Sequence, residues 1–282
     1  MSTQKRLISL VLTLLTTMGC KTRGGLADSS AMKAFAASDA SNTAVVLVHG
    51  WGKTPRRPNF IWRIKIKPYT DLSKLRESFI SAGFTNVNTI EYDDEMSVDE
   101  MAADVARQLQ SVYEKSNNPN LKFDVIAHSL GHFVALKAIL EHNVSANSQE
   151  KLSDRVRILV GLAGAARGQD EIKPCRIFPN QCGGAEVLTP YYVTPERGAQ
   201  ELIKLFTLNR DAINKLKKCS VFAQGDEIVN SPFNSGSFSG LGLDPNNIKD
   251  IEMQYAGSKF HFDVKDSPTI IKDMMDGCYS LI

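Results

Sequence analysis

The amino-acid sequence predicts an α/β domain built on a mostly parallel six-stranded sheet with helices covering both faces. Three observations lead there. Short apolar, β-branched runs recur six times along the chain, and segments with helical periodicity separate them. Strands that alternate with helices bury a parallel sheet between two helical layers. The chain has 282 residues, 43% of them hydrophobic, enough for the full core of one large domain.

The first nineteen residues stand apart from that domain. Lys5 and Arg6 precede an uncharged run from Leu7 to Met18, the basic and apolar regions of a secretory signal peptide over residues 1–19. The run is too short to span a bilayer. It closes on Met18-Gly19-Cys20, similar to a lipobox, so Cys20 is a candidate for lipidation and membrane anchoring. Thr17 stands where that pattern usually has leucine, and ordinary cleavage or retention is the alternative. Residues 20–42 are small and polar and suit a tether, which leaves 43–282 as the folded domain.

Within the domain the strands are expected at 44–49, 87–92, 123–128, 156–162, 219–224 and about 250–255. Helices are expected near 71–82, 98–115, 130–142, 196–217 and 268–277. The second places Met101, Val105, Leu109 and Val112 on one face, and Ser97 with Glu100 forms a capping box. The last starts at Ser267-Pro268, a cap followed by proline at the first helical position. Three connections, 52–69, 165–194 and 227–247, are too long for plain turns and are candidates to line or cover a site.

The formal charge is +2, and Lys5 and Arg6 account for it. A neutral domain gives nucleic acid or a strongly acidic partner no electrostatic purchase, so nucleic-acid binding is set aside. With Cys20 apart, an even number of cysteines remains: Cys175, Cys182, Cys219 and Cys278. Export to an oxidising compartment favours two disulfides, Cys175 with Cys182 and Cys219 with Cys278; free buried thiols are the alternative. No Cys-x-x-Cys pair or nearby histidine supports a zinc site, and no metal is expected.

Phe123 to His128 runs apolar into Ser129, which Ala127 and Gly131 flank two residues away on each side, and helix formers follow. This reads as a nucleophile elbow, a strained strand-to-helix turn that holds a serine hydroxyl out for attack and tolerates only small neighbours. Such a serine needs a base and a group that orients the base. Of the five histidines, His49 ends the first strand and His128 points away from the serine it precedes. His132 and His142 lie along the following helix and read as surface or pocket wall. His261, between the sixth strand and the last helix, is the candidate base. Asp226, directly after the fifth strand and past Gly225, is the candidate acid, with Glu227 as fallback. The N–H groups of Leu130, at the helix start, and of Trp51, in the Gly50-Trp51-Gly52 turn, are candidates for an oxyanion hole. The Gly-x-x-x-x-Gly-Lys spacing of a phosphate loop is absent, which discounts nucleotides.

From about residue 44 to 278 the chain resembles an α/β-hydrolase of the bacterial lipase type, similar to the small class 2 lipases whose elbow begins with alanine. The resemblance rests on Val46-Leu47-Val48-His49-Gly50, the Ala127 to Gly131 elbow, Gly225-Asp226, His261 and Leu162-Ala163-Gly164-Ala165-Ala166-Arg167-Gly168. That last segment is also similar to extracellular polyhydroxyalkanoate depolymerases. The resemblance implies the α/β-hydrolase fold and hydrolysis of lipid or other carboxylic esters through an acyl-enzyme, with no required cofactor. It also implies the chain order Ser, Asp, His for the triad. Thioesterase, amidase and acyltransferase chemistry share the triad, and a non-catalytic envelope binding protein can share the fold. The three long connections depart from the smallest members of the family, which lack a lid.

Overall fold

The computed structural model describes residues 40–50, 71–93, 96–164, 204–223, 226, 237–239, 242–254 and 260–282. Six strands, β1 (Thr43–Val48), β2 (Val87–Ile90), β3 (Lys122–His128), β4 (Val156–Leu162), β5 (Lys218–Phe222) and β6 (Ile248–Glu252), form one sheet in the order β2-β1-β3-β4-β5-β6. Every pairing is parallel, with Val46 opposite Val125 and Gly161 opposite Ser220. The sequence dictates which strands are central. β1 reads Thr-Ala-Val-Val-Leu-Val and is buried throughout, as a strand covered on both faces must be. β6 reads Ile-Lys-Asp-Ile-Glu, is half-exposed, and sits at an edge.

The described helices are α1 (Ser73–Ser81), α2 (Val98–Ser116), α3 (Leu130–Glu141), α4 (Arg210–Lys215), α5 (Phe260–Asp263) and α6 (Pro268–Cys278). Strand alternation sends Val46, Val48, Val125 and Ala127 into a core shared with α2 and α3. Val45, Leu47, Ile126 and Val160 enter a second core with α1, α5 and α6. Ser97 and Glu100 make the expected capping box, and Asn117 closes α2 in the left-handed conformation (φ 51°).

Several boundaries differ from the sequence expectation. β5 stops at Phe222, and β6 starts at Ile248, because an edge strand carrying Lys249, Asp250 and Glu252 shows no apolar run to read. The expected helix at 196–217 is interrupted at Asn209: residues 204–208 are helical and α4 begins at Arg210. The four-residue α5 is too short for periodicity to reveal. The connections 52–69 and 165–194, together with Cys20, Cys175 and Cys182, lie outside the described residues.

Two ties fasten the C-terminal end to the sheet. Cys219 of β5 is disulfide-bonded to Cys278 of α6, as the sequence leads one to expect, with Cα atoms 5.5 Å apart. Asp124, fully buried in β3, accepts two hydrogen bonds from the Arg157 guanidinium at 2.8 and 2.6 Å and one from the Tyr279 hydroxyl at 2.9 Å. The fork and the phenol satisfy a carboxylate that would otherwise be very costly to bury.

Candidate active site

β3 delivers Ser129 to the carboxyl edge of the sheet, and α3 leaves from the next residue. Between them Ser129 adopts φ 54° and ψ −129°, a conformation that L-residues rarely hold without surrounding support. That support is visible in what its neighbours would meet. A Cβ on Gly131 would lie 2.1 Å from the His49 carbonyl oxygen, and one on Gly50 would lie 2.7 Å from Ser129 Cβ. The elbow is therefore wedged against the end of β1, and side chains at either position would push the serine out of place. The Ser129 amide donates to the Leu162 carbonyl at 3.0 Å, fixing the turn to β4 as well.

Asp226 follows the end of β5, its amide donating to the Ala223 carbonyl at 3.3 Å. His261 sits on α5. The structure brings Ser129, His261 and Asp226 into one hydrogen-bonded file. The Ser129 hydroxyl lies 2.9 Å from His261 Nε2, and His261 Nδ1 lies 3.1 Å from each Asp226 carboxylate oxygen. A carboxylate only accepts, so Nδ1 carries the ring proton and Nε2 presents its lone pair to the hydroxyl. Asp226 and His261 are both almost fully buried, which keeps water from competing for these bonds. Such a file can take a proton from the hydroxyl while the opposite ring nitrogen stays bonded to a fixed negative charge.

Leu130, next to the serine, is the first residue of α3, where helix amides have no acceptor within the helix. Trp51 lies outside the described residues, as does Glu227.

The remaining histidines take structural places. His49 donates from Nδ1 to the Gly50 carbonyl at 2.6 Å and accepts the Tyr92 amide at Nε2. The Tyr92 hydroxyl in turn donates to the His49 carbonyl at 2.7 Å, and the rings stack at 4.2 Å. His142 is half-buried at the end of α3. His132 corrects the sequence reading: it is neither surface nor pocket wall but fully buried, edge-on to Phe238 and against Gly161 and Gly164. The reason is that α3 lies between the sheet and other helices and is buried on every side along most of its length. Neither ring nitrogen of His132 has a hydrogen-bond partner among the described residues, and burial pushes its imidazole down to about 4. His128 donates from Nε2 to the His261 carbonyl at 2.8 Å, a contact that nothing in the sequence reading anticipates.

The sequence profile of the lipase (class 2) family matches residues 42–189, more than half of the chain. This chain belongs to the class 2 lipase family. The match takes in Ser129 and ends before Asp226 and His261, which join the serine through the fold alone. The class 2 lipase chain also superposes on solved structures. The product of gene lin2722 from Listeria innocua matches with a TM-score of 0.52 at 11% identity, covering 84% of this chain and 93% of that one. Lipase BlEst2 from Bacillus licheniformis, in mature form, matches at 0.47 and 13%, covering 84% and 91%. Phospholipase PlaB from Legionella pneumophila matches at 0.45 and 15%, covering 66% of this chain; the chain spans 38% of that enzyme's length. No functionally curated protein matches by sequence. The parallel sheet and its two helical layers are those of the α/β-hydrolase fold.

Proposed function

We propose that this protein is a serine hydrolase that cleaves carboxylic esters, including those of lipids, through an acyl-enzyme on Ser129. The hydrogen-bonded file Ser129–His261–Asp226 carries the reading. His261 takes the Ser129 proton at Nε2 as the oxygen attacks the ester carbonyl, and Asp226 holds the resulting imidazolium in orientation. The N–H groups of Leu130 and Trp51 stabilise the oxyanion. Collapse of the tetrahedral species expels the alcohol, which His261 protonates; water then enters by the same route and releases the acid. Membership of the class 2 lipase family supports the ester as substrate class.

The place of action proposed is the bacterial envelope. The segment from Lys5 to Cys20 would direct export, and Cys20 would carry the lipid anchor. The Cys219–Cys278 disulfide suits an oxidising compartment. Among the described residues no helix is long and apolar enough to cross a membrane.

Hydrolysis of p-nitrophenyl butyrate and palmitate by residues 21–282, with Ser129→Ala alongside, tests the mechanism. Turnover is expected to fall by at least about 10³-fold in the variant. Full activity in Ser129→Ala would refute it. A palmitate preference would point to a lipase, and a butyrate preference to a short-chain esterase or polymer depolymerase.

A further inference from the structure

We infer that His128 is a positioning residue for the base, a strut running from the nucleophile's own strand to the backbone of His261. The inference rests on reading Ser129 and His261 as nucleophile and base. His128 is the last residue of β3 and is bonded directly to Ser129. Its ring reaches the His261 main chain, with Nε2 at 2.8 Å from the carbonyl oxygen and the two imidazole centroids 5.0 Å apart. A carbonyl oxygen only accepts, so Nε2 bears the proton. Burial drives the His128 ring well below 6.5 and holds it neutral; the charges of His261, Lys265 and His49 act in the same direction, and the hydrogen bond to the His261 carbonyl opposes them without prevailing. The tautomer and charge are those the strut requires.

The strut is needed because of what carries His261. α5 has four residues, and so short a helix does not hold itself together in water. Its place comes from outside contacts. Phe260 and Val264 are buried in the second core. One turn on, the buried Lys265 ammonium donates to the Asp71 carbonyl at 2.9 Å. His128 adds the contact that acts on His261 itself, and it ties the base to the residue adjoining the nucleophile. A ring kept buried with Nδ1 unpartnered among the described residues is a poorer core filler than an apolar side chain of the same shape. What the polar ring adds is a fixed distance between Ser129 and His261.

The experiment compares His128→Phe, which fills the space without a donor, with His128→Gln, whose side-chain amide offers a donor at nearly the same reach. With p-nitrophenyl butyrate, kcat of His128→Phe is expected to fall about 30-fold with KM within about twofold, since misplacing a reacting group by about 1 Å costs on the order of 10²-fold. His128→Gln should recover to within about fivefold of wild type. The rate at which a fluorophosphonate labels Ser129 should fall and recover in parallel. Should His128→Phe fail to fold, His128→Met carries the same test. Equal activity of the donor-less variant and wild type would overturn the strut, as would equal losses in His128→Phe and His128→Gln. Ser129→Ala separates the two levels: if it stays active, the serine mechanism fails. If it is inactive while His128→Phe is fully active, only the strut fails.

Discussion

Ser129 and His261 meet at 2.9 Å, yet they are held there by different means. Ser129 stands between a seven-residue strand paired on both sides and a twelve-residue helix, and in its elbow Gly131 lies so close to the His49 carbonyl that no Cβ would fit. His261 stands on a four-residue helix located by Asp226, His128 and two buried apolar neighbours. A seat of the first kind is made by contiguous residues and the sheet, so its geometry survives small losses elsewhere. A seat of the second kind is a sum of distant contacts. It is on this side that single substitutions should disturb chemistry while leaving the fold intact.

The largest such effect is expected from Asp226→Asn. An amide in place of the carboxylate donates as well as accepts and can hold the wrong tautomer of His261, leaving Nε2 protonated and unable to take the serine proton. kcat should fall by about 10⁴-fold, equivalent to about 5.5 kcal/mol of transition-state stabilisation, with the urea midpoint almost unchanged. Steady-state kinetics with a p-nitrophenyl ester gives the first number and equilibrium unfolding the second. A loss smaller than about tenfold would mean that the remaining contacts orient His261 unaided, and the contrast between the two seats would collapse.

Next in size is the covalent tie behind the base. Cys219 lies in β5, whose exit leads to Asp226, and Cys278 ends the helix that follows α5. Replacing both cysteines by serine should lower stability by about 3 kcal/mol, because the unfolded chain regains the freedom that the cross-link removes. Urea unfolding of the variant, and of wild type with and without dithiothreitol, checks this. Unchanged midpoints in both would show that the non-covalent contacts alone fasten the base side, sharpening the view of it as a sum of weak pins.

The same contrast explains what could be read from residues alone. The elbow is legible because its constraint is local: an apolar run, small residues two positions away on each side, then helix formers. His261 is reachable only by sorting five histidines and by chain order, since it lies 132 positions after Ser129 and nothing in the intervening chain signals the contact. α5 leaves no sequence signal because four residues show no period, and the start of β6 is hard to place because an edge strand is free to be polar. The His128 bond to His261 spans 133 residues, and the Tyr92 clamp on His49 spans 43; neither leaves a local trace. His132 misled for a related reason. A histidine on a helix is usually expected to reach water, and only the layering of α3 between sheet and helices shows that it does not.

That buried ring gives the nucleophile's seat a weakness of its own, and the smallest of the expected effects. His132 is held down to about 4 by burial, against 6.5 for a solvated imidazole. Between those values the unfolded chain binds a proton that the folded chain refuses, so acid draws the equilibrium toward unfolding. The contribution is complete above pH 6.5 and is lost as pH falls toward 4, the loss reaching about 2 kcal/mol at pH 5. His132→Leu has no such proton to gain. Its loss of stability from pH 7 to pH 5, measured by urea unfolding, should be smaller than that of wild type by about that amount. His128 is depressed in both proteins and cancels from the difference. Equal losses in the two would mean that His132 accepts its proton without unfolding, so that the helix behind Ser129 yields in acid and the nucleophile's seat is no firmer than the base's.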